Sequence, residues 1–331
     1  MKYNNVDFND KCVLITGGAG FIGSNLAFYF QKNFPTCRVV VFDKFRNEEK
    51  FSNGNLKSFG HFRNLLGFGG EVISGDINSH EDMEKLKIYK FDYIFHEAAI
   101  SDTTVSDQTL MLQTNVNAFQ TLLDMAVLMQ ANMVYASSAA TYGDSDIFSI
   151  GHEKPNNVYG FSKLMMDNLA CKYMQTAPIS IVGLRYFNVY GQREFFKNKT
   201  ASMVLQFGLQ LLKGERAKLF ERSDTIKRDF IYIEDVIQAN IKACEPKKSG
   251  IYNVGTGKAR SFQDIVNILK NELTIQREDV YIPNPFASQY QFFTQADISL
   301  SEEFLDYKPR FALEDGIKSY LAWIEAIAQN G

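Results

Sequence analysis

Residues 13–23, with the sequence VLITGGAGFIG, place an apolar run directly before a glycine turn that contains Gly17, Gly20 and Gly23. In such a turn one glycine permits the sharp reversal after a strand, another lets backbone approach a pyrophosphate, and a third lets the next helix pack closely on the strand. The start of that helix presents unpaired N–H groups and a partial positive charge to phosphate. The segment therefore predicts a strand–turn–helix unit that binds a dinucleotide.

The rest of the first half alternates short β-branched runs with helical patterns, which is typical of βαβ units around a parallel sheet. Predicted strands cover residues 12–16, 38–42, 71–74, 93–95, 132–136 and 179–184, and predicted helices cover residues 23–33, 114–129 and 159–175. Farther along, residues 197–213 and 262–273 are predicted helices, and residues 230–245 begin as a strand and turn helical. The predicted fold class is α/β.

We predict two domains, which a chain of 331 residues can accommodate. A Rossmann domain, with a doubly wound parallel sheet, occupies residues 1–187. The chain returns to this domain at about residues 229–257 and 291–313. The remainder of residues 188–331 forms a smaller C-terminal α/β domain that binds substrate. Residues 47–70, rich in Gly, Asn and Ser, predict a partly irregular insertion near the dinucleotide.

Composition excludes several other classes of protein. The formal net charge of −3 gives no bulk attraction to nucleic acid or to an anionic membrane, so neither partner is expected. The first ten residues are polar, and no run approaches the roughly 18 apolar residues that span a bilayer. The four cysteines lie far apart and, with only four histidines, give no zinc-ligand spacing. These features predict a cytoplasmic enzyme with free thiols and no metal site.

Asp43 ends the second predicted strand and lies 20 residues beyond the last glycine of the turn. A carboxylate at this spacing accepts a hydrogen bond from a ribose hydroxyl, which favours NAD. Lys44, Arg46 and Lys50 follow closely and can neutralise the 2′-phosphate of NADP, or they can be solvated loop charges. Asp76 follows the next strand, where it can meet the adenine or simply cap a turn. The sequence leaves both alternatives open.

Tyr159 and Lys163 stand four residues apart and therefore share one face of a predicted helix. A nearby ammonium favours the phenolate, so this spacing predicts a tyrosine that exchanges a proton near neutral pH. Upstream, Ser138 follows a predicted strand and can donate a hydrogen bond to the reacting oxygen. The alternative is that Tyr159 and Lys163 are an ordinary pair of surface residues. Their position at the start of a helix, downstream of the strand that leads to Ser138, favours a catalytic role.

The glycine turn, the serine after the fifth strand and the Y-x-x-x-K spacing, in this order, resemble the extended short-chain dehydrogenase/reductases that act on nucleotide sugars. The resemblance covers nearly the whole chain and implies a triad of Ser138, Tyr159 and Lys163. Residues 96–99 look like the family's loop against the cofactor, and Asn115 looks like its structural asparagine. The implied cofactor contacts are Gly17, Gly20, Phe21, Ile22, Gly23, Asp43, Lys44, Lys50, Asp76, Ile77, Glu97, Ala98, Ala99, Ser101, Asn115, Tyr159, Lys163 and Val189.

The second half narrows the resemblance, through residues 184–191 (LRYFNVYG), 218–221 (KLFE), 228–232 (RDFIY) and 290–297 (YQFFTQAD). These segments resemble family members that invert C6 of the heptose in ADP-heptose. The resemblance implies tightly held NADP, with NAD as the alternative, and transient oxidation followed by reduction on the other face of the sugar.

The same resemblance implies a second proton donor and acceptor, which aligns with Lys197, with Lys199 as a rival. The implied substrate contacts are Ser138, Asn188, Lys197, Lys199, Phe220, Glu221, Ser223, Arg228 and Tyr290. A 4-epimerase or 4-reductase of the same family is the alternative, and a non-catalytic dinucleotide sensor is a more distant one. Enzymes of this kind usually associate, so a homo-oligomer is expected.

Overall fold

The described part of the chain, residues 2–3, 6–283 and 292–330 of a computed structural model, folds around one large parallel sheet. Its strands are β1 (Cys12–Thr16), β2 (Arg38–Asp43), β3 (Glu71–Ser74), β4 (Tyr93–His96), β5 (Asn132–Ser138), β6 (Ile181–Tyr186), β7 (Asn188–Tyr190), β8 (Lys218–Phe220), β9 (Lys227–Tyr232), β10 (Gly250–Val254), β11 (Ala259–Ser261) and β12 (Val280–Ile282).

The helices cover both faces of that sheet and the chain beyond it. They are α1 (Phe21–Asn33), α2 (His80–Glu84), α3 (Gln108–Leu112), α4 (Ala118–Met129), α5 (Val158–Tyr173), α6 (Met203–Leu212), α7 (Ile233–Lys242), α8 (Phe262–Leu273), α9 (Ser299–Leu305) and α10 (Leu313–Asn330). A π-helical segment, Gln113–Asn117, joins α3 to α4, and 3₁₀ turns occur at Phe62–Leu65, Ala139–Thr141 and Phe195–Thr200. No helix among these is long and apolar enough to cross a membrane.

The large sheet has the order β3-β2-β1-β4-β5-β6-β10, and every neighbouring pair of strands is parallel. Its central strands are buried along nearly their whole length, which explains their continuous apolar runs. The strand order reverses between β1 and β4, and a cleft at the carboxyl ends of the strands is expected there. The predicted α/β Rossmann fold is confirmed.

The smaller C-terminal part consists of a three-stranded sheet, β11-β9-β7, and a pair of parallel strands, β12 and β8. A buried carboxylate, Asp229 in β9, fastens the three-stranded sheet to chain beyond β10, because it accepts hydrogen bonds from the backbone N–H groups of Thr256, Gly257 and Ala296 at 2.7 to 3.0 Å. The C-terminal part is therefore joined to the edge of the large sheet at β10.

The predicted helix over residues 197–213 is wrong in its first turn. Residues 195–200 form a 3₁₀ turn in which Asn198 has the non-helical angles φ 52° and ψ −123°, and α6 begins only at Met203. The Ser202 hydroxyl accepts a hydrogen bond from the Leu205 N–H and so marks the true N-cap. By contrast, residues 47–70 are largely irregular, as predicted, and contain one short 3₁₀ turn.

A buried ionic network lies under the carboxyl half of β5 and should be the most fragile polar feature of the core. Asp167 accepts hydrogen bonds from Tyr135, Ser137 and the guanidinium of Arg185 at 2.8 to 3.0 Å, and Arg185 is 1% exposed. Removing Asp167 leaves the buried hydroxyls of Tyr135 and Ser137 without their acceptor and leaves Glu153 as the remaining carboxylate partner of Arg185.

Asp167→Ala is therefore expected to lower the free energy of unfolding by about 3–5 kcal/mol, measured by urea denaturation. Glu84→Ala, which breaks an exposed ion pair with Lys87, is the matched control and should leave the denaturation midpoint nearly unchanged. Equal effects of the two substitutions would contradict the prediction.

Candidate active site

The glycine turn between β1 and α1 leaves no room for side chains. Gly17 has φ +68°, and a Cβ atom there would lie 2.7 Å from the Ala98 nitrogen. A Cβ at Gly23 would lie 2.3 Å from the Gly17 oxygen. Helix α1 begins at Phe21 without a side-chain cap and without an acidic residue in its first turn. The turn therefore fits a pyrophosphate, which would accept hydrogen bonds from the unpaired N–H groups at the start of α1.

Gly23→Ala is expected to weaken dinucleotide binding roughly 100-fold, or about 2.8 kcal/mol, because the new methyl group collides with backbone that cannot move aside. Fluorescence titration with the reduced dinucleotide measures the change in Kd. Gly69→Ala is the matched control, since a Cβ there meets only the Gln31 side chain at 3.8 Å. Normal dinucleotide affinity of the Gly23→Ala protein would contradict the prediction that this turn binds the pyrophosphate.

Asp43 ends β2 beside the glycine turn and is 5% exposed. Its two carboxylate oxygens accept hydrogen bonds from the backbone N–H groups of Ala19 and Phe45 at 2.9 and 2.8 Å. Burial nevertheless raises the pKa of this carboxyl above its ordinary value. A carboxylate held in this way has one free lone pair on each oxygen, and these can accept a ribose hydroxyl.

Of the three cations that the sequence suggested near Asp43, Lys44 lines the cavity, whereas Arg46 and Lys50 do not. The ammonium of Lys44 lies 2.8 Å from the Asp76 carboxylate, so the two residues form an ion pair at the cleft. Arg46 turns away and donates a hydrogen bond to the Phe196 carbonyl. Lys57, on the insertion, lines the cleft where Lys50 was expected.

Ser138, Tyr159 and Lys163 meet at the carboxyl end of β5. Ser138 ends that strand and Tyr159 lies in the first turn of α5, and the Ser138 hydroxyl acts to lower the pKa of the Tyr159 phenol. The Lys163 ammonium lies 5.9 Å from the centre of the Tyr159 ring and donates a hydrogen bond to the Ala136 carbonyl at 2.7 Å. All three side chains are less than one-tenth exposed. This arrangement can pass a proton between the tyrosine and a substrate oxygen.

The structure does not show the predicted lowering of the Tyr159 pKa by Lys163. Burial raises the pKa of Tyr159, although the Ser138 hydroxyl opposes the increase. Burial also lowers the pKa of Lys163 to about 8, against the attraction of Glu97 and Asp167. Because the ammonium is held against the Ala136 carbonyl, a ribose placed between the two side chains would have to connect them.

Glu97, in the loop after β4, is a half-buried acid at this end of the cleft. It accepts a hydrogen bond from the Tyr186 phenol at 2.9 Å, and Asn240 donates to the same phenol at 2.9 Å. Burial raises the pKa of Glu97 to about 7, while the Tyr186 hydrogen bond and the Lys163 charge oppose the increase. Glu97 can therefore be charged or neutral near neutral pH.

Lys197 reaches the same cleft from a different element, the 3₁₀ turn of residues 195–200. It is half-buried, and its ammonium lies 5.6 Å from the centre of the Phe21 ring at the start of α1. Burial lowers its pKa, and the nearby Glu194 carboxylate opposes that decrease. A lysine with a lowered pKa can act as a proton donor and acceptor.

One cavity of about 780 Å³ brings most of the predicted site residues together. Its volume is in the range of a site for small molecules. The predicted residues in its wall are Gly17, Gly20, Phe21, Ile22, Gly23, Asp43, Lys44, Asp76, Ile77, Glu97, Ala98, Ala99, Ser101, Ser138, Tyr159, Lys163, Asn188, Val189, Lys197 and Arg228.

Other predicted residues lie outside that wall for identifiable reasons. Lys50 is exposed on the insertion, and Lys199 is exposed beyond the kink at Asn198. Asn115 is fully buried, where its amide bonds both backbone groups of Ile100 and the Ser162 hydroxyl, so it supports the loop after β4 without reaching the cavity.

The predicted substrate residues around β8 are also outside the wall of the cavity. Phe220 ends β8, Glu221 is exposed in the turn that follows, and Ser223 is buried. Tyr290 falls outside the described residues.

Several residues of the cavity wall were missed. Phe51, Lys57, Ser58 and Gly60 come from the irregular insertion, and Met203, Phe230 and Phe262 come from the C-terminal part. The composition of the insertion suggested only that it lies near the dinucleotide. For the C-terminal apolar residues the sequence carries no signal, because a core position gives the same pattern.

The sheet order, the glycine turn and the Ser138, Tyr159 and Lys163 group define a nicotinamide-dependent enzyme of the short-chain dehydrogenase/reductase class. The sequence profile of the NAD dependent epimerase/dehydratase family matches residues 13–255. The chain belongs to that family.

Solved structures agree with this assignment. The chain is similar to ADP-L-glycero-D-manno-heptose-6-epimerase of Helicobacter pylori, with 50% sequence identity, coverage of 98% of this chain and 100% of that one, and a TM-score of 0.91. It is also similar to UDP-glucuronic acid 4-epimerase from Bacillus cereus, solved with UDP-glucuronic acid and NAD, at 26% identity, 96% and 99% coverage and a TM-score of 0.80. UDP-glucose 4-epimerase from Thermotoga maritima, at 24% identity, 96% and 99% coverage and a TM-score of 0.83, shares the fold.

Proposed function

We propose that this enzyme interconverts ADP-D-glycero-D-manno-heptose and ADP-L-glycero-D-manno-heptose by inversion at C6, a step toward the lipopolysaccharide inner core. The observation that carries the proposal is that Tyr159 and Lys197, on different elements, line the same cavity. Inversion through a ketone needs a proton donor and acceptor for each orientation of the sugar. The 50% identity to the Helicobacter pylori 6-epimerase supports this substrate.

The chain's own residues divide the work. Tyr159 takes the proton of the C6 hydroxyl, and Ser138 donates a hydrogen bond to the same oxygen while it becomes a carbonyl. When bound, the nicotinamide would supply the acceptor for the hydride that leaves C6 and the donor of the hydride for the other face of the ketone. After the sugar end turns, Lys197 donates the proton to the carbonyl oxygen. The reverse reaction uses the same two groups in the opposite order.

Binding at the nucleotide end uses residues in the C-terminal half of the wall. Arg228 is buried in the cavity wall, and its guanidinium suits the two phosphates of the substrate. Asn188 lies in the same wall and offers amide groups to the sugar or the phosphates. The Arg228 assignment rests on burial and charge, and the Asn188 assignment rests on the position of this exposed residue in the cavity wall.

We propose NADP as the cofactor, with NAD as the alternative. Support comes from Lys44 and Lys57, which lie in the wall that also contains Asp43. Each ammonium is paired with one carboxylate, Lys44 with Asp76 at 2.8 Å and Lys57 with Glu49 at 3.4 Å. Two cations beside the ribose site favour a 2′-phosphate, whereas Asp43 favours a free hydroxyl. Chromatography of the dinucleotide released by denaturing the purified protein distinguishes the two.

The decisive test is incubation of the purified protein with ADP-D-glycero-D-manno-heptose, followed by chromatographic separation of the C6 epimers. A mixture of both epimers, without net consumption of added cofactor, is the expected result. Stoichiometric oxidation of added NADPH would indicate a reductase. Inversion of a UDP-hexose at C4, without action on the heptose, would indicate a 4-epimerase.

The expected setting follows from the same family assignment. We propose a homo-oligomer in the cytoplasm, where the four cysteines, all free in the structure, would stay reduced. Sedimentation velocity at several protein concentrations tests the association.

A further inference from the structure

The 3₁₀ turn of residues 195–200 has little support of its own. None of its residues is fully buried, and the backbone leaves helical geometry at Asn198. A turn of this kind holds a side chain in one direction only when neighbouring segments fix it. The contacts around Lys197 therefore decide whether its ammonium points into the cavity.

One neighbouring segment is the insertion between β2 and β3, which holds the turn through Phe196. The His61 ring stacks on the Phe196 ring, with centres 3.7 Å apart and planes inclined by 1°. Arg46 donates a hydrogen bond to the Phe196 carbonyl, and its guanidinium lies 5.7 Å from the centre of the same ring. Both the ring and the backbone of the residue before Lys197 are thus held by the insertion.

The insertion residues are themselves anchored. The His61 N–H donates to the Ala19 carbonyl in the glycine turn at 3.0 Å, and the Arg46 N–H donates to the Gly60 carbonyl at 2.7 Å. Gly60 lies directly against the Asp43 carboxylate, since a Cβ there would be 2.1 Å from the Oδ1 atom. The residues that hold Phe196 are therefore bonded to the glycine turn and packed beside Asp43, the two parts of the site predicted to bind the dinucleotide.

Glu194, directly before the turn, bonds to the chain on both sides of it. Its buried carboxylate accepts hydrogen bonds from the Gly191 N–H at 3.1 Å and from the N–H and hydroxyl of Ser202 at 2.6 and 2.7 Å. These bonds fix the two ends of the segment, but none of them reaches Phe196. Within the turn, the Lys197 N–H donates to the Glu194 carbonyl at 2.9 Å, and the Thr200 hydroxyl donates to the Lys197 carbonyl at 2.8 Å. These bonds hold the Lys197 backbone, while the insertion holds the ring and the carbonyl of Phe196 directly before it.

We propose that His61 and Arg46 are positioning residues, which aim Lys197 into the cavity and connect the dinucleotide end of the site to the second proton donor and acceptor. This inference rests on the role of Lys197 in the proposed function. The stack needs a flat ring on residue 61, and it does not need a titrating one. Phenylalanine should therefore replace His61, and alanine should not.

The test compares His61→Ala, His61→Phe and Arg46→Met, with Leu66→Ala as the matched control, because Leu66 is an exposed residue of the same insertion. Misplacement of a reacting group by about 1 Å can cost on the order of 100-fold in rate. We expect His61→Ala and Arg46→Met to lower kcat by roughly 10- to 100-fold, with KM for the sugar nucleotide within about twofold. His61→Phe should recover most of the rate, and Leu66→Ala should match the wild type.

A second measurement does not depend on turnover. Competitive acetylation with acetic anhydride over a range of pH, read at Lys197 by mass spectrometry, reports the pKa of its amine. We expect the lowered pKa of Lys197 to move toward the ordinary lysine value in His61→Ala and Arg46→Met, but not in His61→Phe. Normal kcat and an unmoved Lys197 pKa in both disruptive variants would overturn the proposal. If the wild type epimerises nothing, the proposed function fails, and the acetylation result still decides whether the insertion positions Lys197.

Discussion

Replacing Tyr159 with phenylalanine is expected to lower epimer interconversion by about 10³-fold, because positioned acid–base groups contribute roughly 10²- to 10⁴-fold. The phenyl ring keeps the packing of Tyr159 in its apolar cluster with Phe51, Ile100, Val105 and Met111. The variant should therefore fold normally and bind the dinucleotide with a Kd within about twofold of the wild type. Epimer chromatography measures the rate, and fluorescence titration measures the Kd.

Tyr173→Phe is the matched control, because Tyr173 lies at the end of the same helix and its hydroxyl donates a hydrogen bond to the exposed Asp124. It should turn over like the wild type. Retained turnover in the Tyr159 variant would show that the tyrosine hydroxyl does not take part in the proton transfer. Loss of dinucleotide binding together with turnover would instead assign it a binding role.

Lys197→Met is expected to lower interconversion of the C6 epimers by about 100-fold or more, since one orientation of the sugar then lacks a proton partner. Methionine keeps the length of the side chain and fills the space beside Phe21. Dinucleotide affinity should remain close to the wild-type value, because the phosphate and ribose contacts of the glycine turn and Asp43 are untouched.

Lys199→Met is the control that the chain itself offers, two residues away and exposed. It should leave the rate unchanged. The opposite pattern, with Lys199 essential and Lys197 dispensable, would exchange the two roles. Full activity in both variants would favour a site with a single acid–base group, as a 4-epimerase requires.

Much of the binding half of the site could be predicted because its geometry is local. The glycine turn, Asp43 at the end of the next strand, and the Tyr159 and Lys163 spacing each depend on a few consecutive residues. Strand and helix periods then fix where these residues lie relative to the sheet edge. For the same reason the predicted strands and the predicted helix over Phe262–Leu273 match the structure closely.

The contacts that the sequence could not give are those between segments far apart in the chain. The hydrogen bond of Lys163 to the Ala136 carbonyl and the stack of His61 on Phe196 join separate elements. Neither is visible in local patterns, since each depends on how two elements pack. The role of Asn115 was predicted more broadly than the structure supports, because an asparagine that braces a loop and one that binds a ligand have the same sequence signal.

The sequence alone determined the Rossmann class, the dinucleotide site and the Ser138, Tyr159 and Lys163 group, because short-range spacing and periodicity encode all three. Only the tertiary structure shows that Lys197, and not Lys199, lines the cavity. The angles at Asn198 turn Lys199 outward, while the insertion and α1 surround Lys197. The physical reason is that the direction of a side chain on an unsupported turn is set by its neighbours in space, and those neighbours come from residues 21, 46 and 61.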